Sequence, residues 1–569
     1  MNLSHFNTEP FPKAIKMLFA ELNIPINPIS EDVFPIQSTF VSFNVNNPAH
    51  ALIDELYAIG TVDDQAFKGV RKIDESKLEN EDYDFIMVFG IKIKDNQHPT
   101  RSQLAEITRL ANASFNKSLK GNPVTVVFKY GDNLALSNTE RQKYLQAYRE
   151  GEKLGKVSLL RDININKTHS GHWRIIKSLS IDSIRSYDKK NKVEDFGGLY
   201  KGWQQVFGTQ ILNEQFYKDY QKLSVSLVRS IFPSQIKDKI KAHQGALNLL
   251  NRLMFIYFIQ KKGWLMNDEE FIFHLWQDYK SSNSEKNTFH SKWLNKIFFK
   301  AFNNKVFNDP EIFKIFPEKY HTAILNFPYL NGGLFSMMDE DDFKLDDTVF
   351  EEIFSYLQGY IFTISEDTAE EINLEINPEL LGKMYEGMIN ATDLNDIEAE
   401  NGIVYTERPE INFMVKRSFV EVLSQKLSNT FSREFLYHFC FDKHTEKVEL
   451  IKHYKANVEL LRNAILSTTS LDPSCGSGSM LIGVIQLQIE LLRAIDEFLG
   501  KPHTPKDDFY LKKQIISECI YGVDIKEWAV RIAELRFWLN MISEVEFTTE
   551  ELCKEPLLPN LDFKIRQGN

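Results

Sequence analysis

LDPSCGSGSML, running from Leu471 to Leu481, lies between a segment of strand character, Ile465 to Asp472, and one of helical character, Ser479 to Phe498. In a parallel sheet the chain leaves each strand at the carboxyl edge, where such folds bind ligands. Gly476 and Gly478 lack Cβ, so the backbone can turn sharply there and approach a ligand closely. The helix beyond offers unpaired N–H groups to an anionic group such as a cofactor carboxylate. Asp472 is placed to accept hydrogen bonds from an ammonium group or a bound water. A GxGxxG dinucleotide fingerprint would need a third glycine where Leu481 stands, and no P-loop GxxxxGK[ST] occurs.

Downstream, Ile515 to Asp524 is expected as the next strand and Glu527 to Ile542 as a helix, with Ile532, Leu535 and Leu539 facing the sheet. The strand ends in YGVDI (Tyr521–Ile525), placing Asp524 where ribose hydroxyls need an acceptor. Its distance from Asp472 exceeds the usual ~20 residues, which an extended helix and a loop over Lys501–Asp508 would explain. From about Ala399 the pattern is the start of a doubly wound α/β domain with an incomplete sheet.

Upstream, Asp84 to Asp95 reads as a strand, Thr100 to Asn116 as a helix with Leu104, Ile107, Leu110 and Ala111 on one stripe, and Pro123 to Lys129 as a second strand. That order predicts a parallel βαβ core. Val157–Leu160 and Trp173–Ile176 read as shorter strands. Ser183 to Gly202 is polar, with KKNK and a glycine pair, and is expected as a linker. Long amphipathic patterns fill 203–395. Ala246 to Gly263 is the most apolar, with a stop signal at Lys261, Lys262 and Gly263. Pro328 to Phe335 (PYLNGGLF) is expected as a structured turn. The expected division is therefore an N-terminal α/β domain over 1–182, a helical connector over 203–395 and an α/β domain over 399–569.

The chain has 569 residues, 43% hydrophobic and 26% charged, which excludes a disordered or collagen-like protein. The longest apolar run, Leu253 to Ile259, is too short to cross a bilayer, and the start lacks a secretory signal. Cys440, Cys475, Cys519 and Cys553 make no pairable framework, so a reducing cytoplasm is expected. A net charge of −12 leaves nucleic-acid binding to local basic patches.

DPSCGSGSML resembles the S-adenosylmethionine loop, DPxCGSGxF, of the amino-methylating DNA methyltransferases. YGVDIKEWAVRIAELRFWL is similar to their second cofactor motif, and GIVYTERPEINFM (Gly402–Met414) to their upstream GxxYTPxxI element. The order of these motifs resembles the γ arrangement of adenine-N6 methyltransferases. NRLMFIYFIQKKGWL, FPYLNGGLF and NPELLGKMYEGM are similar to stretches of the helical region of large Type IIG restriction–modification and phage-defence methylases. TRSQLAEITR, VVFKYGDNLAL and SLLRDININ resemble the domain before it in some of those proteins. One departure is Glu407-Arg408, which separates Thr406 from Pro409 where the family has proline directly after threonine.

The resemblance implies that residues 399–569 are the N-terminal half of a Rossmann-like S-adenosylmethionine-dependent methyltransferase domain. It implies cofactor binding by Asp472, Pro473, Cys475, Gly476, Ser477, Gly478, Asp524 and Ile525, with Tyr405 and Thr406 on the methionine side. It implies methylation of adenine N6 in double-stranded DNA, for which adenine must leave the stack and face the sulfonium methyl. The family positions the base with an Asn/Asp-Pro-Pro-Tyr/Phe loop, and no such tetrapeptide occurs here. Pro559–Asn569 resembles the segment just before it. The expectation is therefore an N-terminal part of a longer enzyme, inactive alone and with no catalytic residue of its own. A continuation or a separate chain would carry the catalytic loop and the target-recognition domain.

Two other readings stay open: a bifunctional restriction endonuclease–methyltransferase, and a non-catalytic cofactor-binding or DNA-engaging subunit of a split enzyme. A nuclease needs an acid and a strand-borne [DE]xK to hold Mg²⁺. Asp84 begins a strand, but GIKIK follows without the acid, and Glu75-Ser76-Lys77 lies in a charged tract. Mg²⁺ enters only on that reading, and the N-terminal domain is otherwise a degenerate nuclease or a DNA-engaging domain. His169 and His172 have no third ligand nearby and are expected as turn or core residues. Cys475 has no partner base and is expected as a packed loop residue. The Lys261–Lys262 pair is expected as solvated charge at a helix end.

Overall fold

The computed structural model describes residues 3–40, 42–64, 66–67, 85–115, 122–143, 152–302, 312–328, 330, 335, 337–364, 371–380, 406, 408–543, 545, 547, 551, 561 and 564–568. They fall into two compact units, Met1–Lys218 with Gln358–Ile361 and Asp367–Ile376, and Asp219–Leu357 with Phe362–Glu366 and Asn377–Asn569. No helix among the described residues is long and apolar enough to cross a membrane.

The first unit is built on a seven-stranded mixed sheet in simple sequence order: β1 (Asn27–Pro28), β2 (Ile53–Asp63), β3 (Phe85–Ile93), β4 (Val124–Tyr130), β5 (Asn133–Lys143), β6 (Glu152–Asn164) and β7 (Glu371–Asn373). Strands β3 and β4 run parallel, as do β6 and β7, and the remaining pairs are antiparallel. Helix α1 (Phe11–Glu21) precedes the sheet, and α2 (Arg101–Phe115) makes the crossover between β3 and β4. The apolar stripe read from the sequence, Leu104, Ile107, Leu110 and Ala111, is the face that α2 buries in one core with Phe89, Ile91, Val126 and Phe128.

Three local expectations in this unit are corrected. Trp173–Ile176 is not a strand but part of α3 (Ser170–Ser178), whose N-terminus is capped by His169 Nδ1 accepting the Gly171 N–H at 3.0 Å. A short apolar run does not distinguish strand from buried helix, and the cap decides it. Strand β6 extends well beyond the expected Val157–Leu160. The expected linker, Ser183–Gly202, is largely two helices, α4 (Ile181–Tyr187) and α5 (Phe196–Phe207). Capping residues explain the polar character: Ser180, just before the expected linker, accepts the Ser183 N–H, and Asp195 within it accepts the Gly198 N–H. Trp203 of α5 is buried and donates its indole N–H to Leu179 O at 3.0 Å, tying α5 into the first unit.

In the second unit, the described residues of 219–357 form helices and turns with no strand. The helix that carries the longest apolar run, α6 (Lys239–Ile259), stops at a short 3-10 turn and then Gly263, whose φ of +70° breaks the helix where the stop signal stands. Within it Arg252 is fully buried and donates to Asp341 through its two terminal guanidinium nitrogens, Nη1 to Oδ1 at 2.6 Å and Nη2 to Oδ2 at 2.9 Å. The glycine turn expected at Pro328–Phe335 lies mostly outside the described residues.

The last part begins with helices, including α7 (Arg408–Lys426) and α8 (Val458–Leu466). A three-stranded parallel sheet follows, β8 (Ser470–Asp472), β9 (Ile520–Asp524) and β10 (Ile565–Gln567), in the order β10-β9-β8. Helices α9 (Ser479–Phe498) and α11 (Glu527–Ile542) have the expected bounds. Two strands are shorter than expected. Ile465 and Leu466 of the first expected strand end α8, and Ile515–Glu518 belongs to α10 (Pro505–Glu518), where Phe509, Lys512, Ile515 and Ile516 form a buried helical face. Thr504 caps α10 reciprocally with Asp507, and Pro505 opens it, so part of the expected Lys501–Asp508 loop is helical too.

Candidate functional site

Strand β8 delivers Asp472 to the carboxyl edge, and β9 delivers Asp524 to the same edge, since Asp472 pairs with Gly522 in parallel register. The chain then turns through Pro473–Gly478 into α9. Gly476 and Gly478 both have positive φ, +52° and +79°, the left-handed conformation that side chains with a Cβ resist. A Cβ on Gly478 would stand 3.1 Å from Ala533 Cβ and 3.2 Å from Phe537 Cζ. The glycines are therefore required by the turn and by its packing on α11.

The loop is tied to the neighbouring strand. Cys475 N–H donates to Val523 O, and Gly476 N–H to Asp524 Oδ2, both at 2.9 Å. Asp524 Oδ1 accepts the Lys526 N–H at 2.9 Å, and Asp472 Oδ1 accepts the Ser474 N–H at 3.0 Å. Burial raises the Asp472 carboxyl above its ordinary range, against the Ser474 N–H, and the nearby Asp524 charge adds to the rise. Burial, with the charges of Asp472 and Asp524, pushes the Cys475 thiol up to about 12. Cys475 is buried and protonated at neutral pH, as a packed loop residue should be.

The remaining expected residues divide. Pro473 and Ile525 are exposed, Ser477 and Gly478 buried, and Thr406 half-buried two residues before α7. Tyr405 lies outside the described residues, as do Glu75, Ser76, Lys77 and Asp84 of the nuclease reading. His172 is buried with Nε2 3.0 Å from Arg161 O. Among the described residues no group of three His, Cys, Asp or Glu could hold a metal ion. Lys262 corrects an expectation: its ammonium is half-buried and donates to Ser543 O and Val545 O at 2.8 and 3.0 Å, just past the end of α11. Lys261, its neighbour, pairs with Glu269 at 3.1 Å.

Sequence reasoning passed over two arginines. Arg408, in the insertion after Thr406, donates to Glu379 Oε2 at 3.2 Å and Gln486 Oε1 at 3.0 Å. Burial, then the Arg536 charge, pulls its guanidinium down to about 9. Arg536 lies inside the apolar run of α11 and is fully buried. A cation within an apolar run was the available signal.

The chain that carries this arrangement is similar to Type II restriction enzymes and methyltransferases. Residues 448–569 match the family model described as the MmeI DNA-methyltransferase domain. Over 338 residues the chain is 30% identical to RM.MjaORFECS2P of Methanocaldococcus jannaschii, by its name a type II restriction enzyme and methyltransferase. That match covers 57% of this chain and 27% of the relative, so the chain spans about a quarter of its length. The type II restriction enzyme and methyltransferase RM.Eco57I of Escherichia coli is 34% identical over 115 residues, 18% of this chain and 11% of that protein. The solved structure of the Type IIL restriction–modification enzyme MmeI in complex with DNA is 19% identical with a TM-score of 0.36, covering 57% of this chain and 36% of that one.

Proposed function

We propose that this chain holds S-adenosylmethionine at the carboxyl edge of the three-stranded sheet. The whole protein would then methylate adenine N6 in double-stranded DNA, in cytoplasmic restriction–modification or phage defence. The observation that carries the reading is the glycine loop set between Asp472 and Asp524 on adjacent parallel strands. An Asp472 carboxyl whose proton affinity is raised by burial and then by the Asp524 charge beside it suits a ligand bearing an ammonium and a sulfonium. Asp524 keeps acceptor capacity beyond its two backbone donors, since each carboxylate oxygen has two lone pairs. The strand order also agrees with one half of a doubly wound sheet, 3-2-1. When bound, the cofactor supplies an activated methyl, and this chain's residues hold and orient it. By the resemblance, Tyr405 and Thr406 would lie on its methionine side. No Asn/Asp-Pro-Pro-aromatic tetrapeptide occurs in the sequence, so no residue of this chain is assigned to the base.

Calorimetric titration of the chain with S-adenosylmethionine tests the reading. Saturable binding is expected, and Gly476→Val should take it below detection, because a β-branched residue resists the loop's positive φ. Unchanged affinity in a folded Gly476→Val variant removes the assignment.

A second reading follows from the names of the two relatives, each a restriction enzyme as well as a methyltransferase. On it the first unit cleaves DNA with Mg²⁺, and an Asp84→Ala variant should lose that cleavage. Cleavage that persists in Asp84→Ala excludes Asp84 from the metal site.

A further inference from the structure

Arg536 touches the loop from the helix that follows the second acid. Its Nη1 lies 2.9 Å from Ser477 O, 3.0 Å from Ser477 Oγ and 2.8 Å from Ser479 Oγ. These acceptors bracket Gly478, the residue in left-handed conformation that opens α9. Ala533, Arg536 and Phe537 occupy one stripe of α11, at i, i+3 and i+4. Each meets the loop: Ala533 is small enough to admit Gly478, the Phe537 ring edge closes on the same glycine, and Arg536 bonds on either side of it.

The same strand–helix segment therefore holds the loop at two points. Asp524 fixes the Gly476 N–H at the end of β9, and Arg536 fixes the Ser477 carbonyl from α11. The Ser477–Gly478 peptide is held at its carbonyl by Arg536 and at its N–H, which donates to Cys475 O at 2.8 Å, so it cannot rotate without breaking one of these bonds. A fully desolvated guanidinium is costly, and an apolar residue of similar volume often serves stability equally well. What Arg536 supplies here that an apolar residue would not is its set of bonds to the loop on either side of Gly478.

We infer that Arg536 is a positioning residue for the cofactor loop, fixing the Ser477–Gly478 peptide and so the direction in which the N-terminus of α9 is offered to the ligand. The inference rests on the proposed cofactor reading, and Arg536 itself is not assigned any contact with the cofactor.

The test uses the full chain with Arg536→Met, Arg536→Lys and the double variant Ser477→Ala/Ser479→Ala. It reads S-adenosylmethionine affinity, amide hydrogen exchange over residues 472–480 and thermal midpoint. Arg536→Met is expected to weaken binding roughly 10–100-fold, the scale of one or two charge-assisted hydrogen bonds. Exchange should rise in the loop while protection of α6 stays unchanged. Arg536→Lys should recover part of both effects, which a purely volumetric role would not produce. The double serine variant, which leaves the guanidinium and the Ser477 carbonyl in place, should show a smaller rise in loop exchange than Arg536→Met. If Arg536→Met does not fold, Arg536→Gln, which removes the charge and shortens the reach to the Ser477 carbonyl, stands in for it and should show the same localised exchange and a smaller loss of affinity. Wild-type affinity and loop exchange in a folded Arg536→Met, or in Arg536→Gln standing in for it, overturn the inference. A wild-type chain that binds no S-adenosylmethionine overturns the cofactor reading instead. The exchange data then decide alone whether Arg536 holds the loop, and unchanged exchange sinks that too.

Discussion

Asp524 Oδ2 accepts the Gly476 N–H at 2.9 Å, so the acid that ends β9 is a strut of the glycine loop as well as a candidate ligand of the cofactor. Removing it should act on both. Asp524→Ala is expected to weaken S-adenosylmethionine binding by about 1.5–3 kcal/mol, the range of hydrogen bonds to a charged group. Asp524→Asn keeps one acceptor and should lose less. Calorimetry on both variants checks the order, and equal losses would remove the strut from the explanation.

Gly478 gives a test of the turn that needs no ligand. Gly478→Ala puts a Cβ at φ +79° and 3.1 Å from Ala533 Cβ. The left-handed conformation alone costs about 1–2 kcal/mol. A lower thermal midpoint is expected, and the companion Ala533→Gly should relieve the contact but not the backbone strain. Full recovery in the double variant would mean that packing alone requires the glycine.

The buried Arg252–Asp341 pair predicts a strong asymmetry. Arg252→Met leaves a desolvated carboxylate and is expected to cost roughly 3–5 kcal/mol. Adding Asp341→Leu should restore most of that stability, because no buried charge remains. Denaturant melts of the three proteins decide it. Equal losses in single and double variants would show that the pair itself stabilises the unit.

His503 links α9 to α10 through two acids, Asp496 Oδ2 at 2.7 Å and Asp508 Oδ1 at 2.8 Å. The Asp508 bond, helped by Asp496, raises its pKa above 6.5. Arg462 and Arg493 flank the same acids, which lie below their ordinary range despite burial. A raised folded-state pKa gives stability fully present below the unfolded value and lost as pH rises through the folded one. The depressed acids act oppositely, losing their contribution as pH falls below about 3.8 through their folded values. Thermal midpoints should therefore decline on the alkaline side of 6.5 in the wild type. His503→Gln should flatten that limb, and an identical alkaline slope would exclude the histidine.

The parts of the fold legible in the sequence were those with one dominant signal. The βαβ unit of β3, α2 and β4 carried both a period-two run and a helical stripe, and α9 and α11 were long enough to read from end to end. Ile515–Glu518 was misread because four residues ending in a strand look continuous with it, although Thr504-Pro505 announced the helix. Trp173–Ile176 has a different reason, since a short apolar run does not by itself distinguish a strand from a buried helix. At the site, Asp472, Gly476, Gly478 and Asp524 were visible as a motif. Arg536 was not, because its acceptors lie 57 and 59 residues away in sequence.

Lys262, just beyond α6, binds two carbonyls past the end of α11, while Phe255 and Trp538 of those helices stand 6.5 Å apart in a common core. Such a joint constrains anyone grafting parts between homologous enzymes. A hybrid spliced between α6 and β8 would inherit one half of this joint from each parent, leaving mismatched aromatic volumes and unmet carbonyls far from any motif. Interchangeable pieces of this protein should be sought with α6 and α11 kept on the same side of the splice.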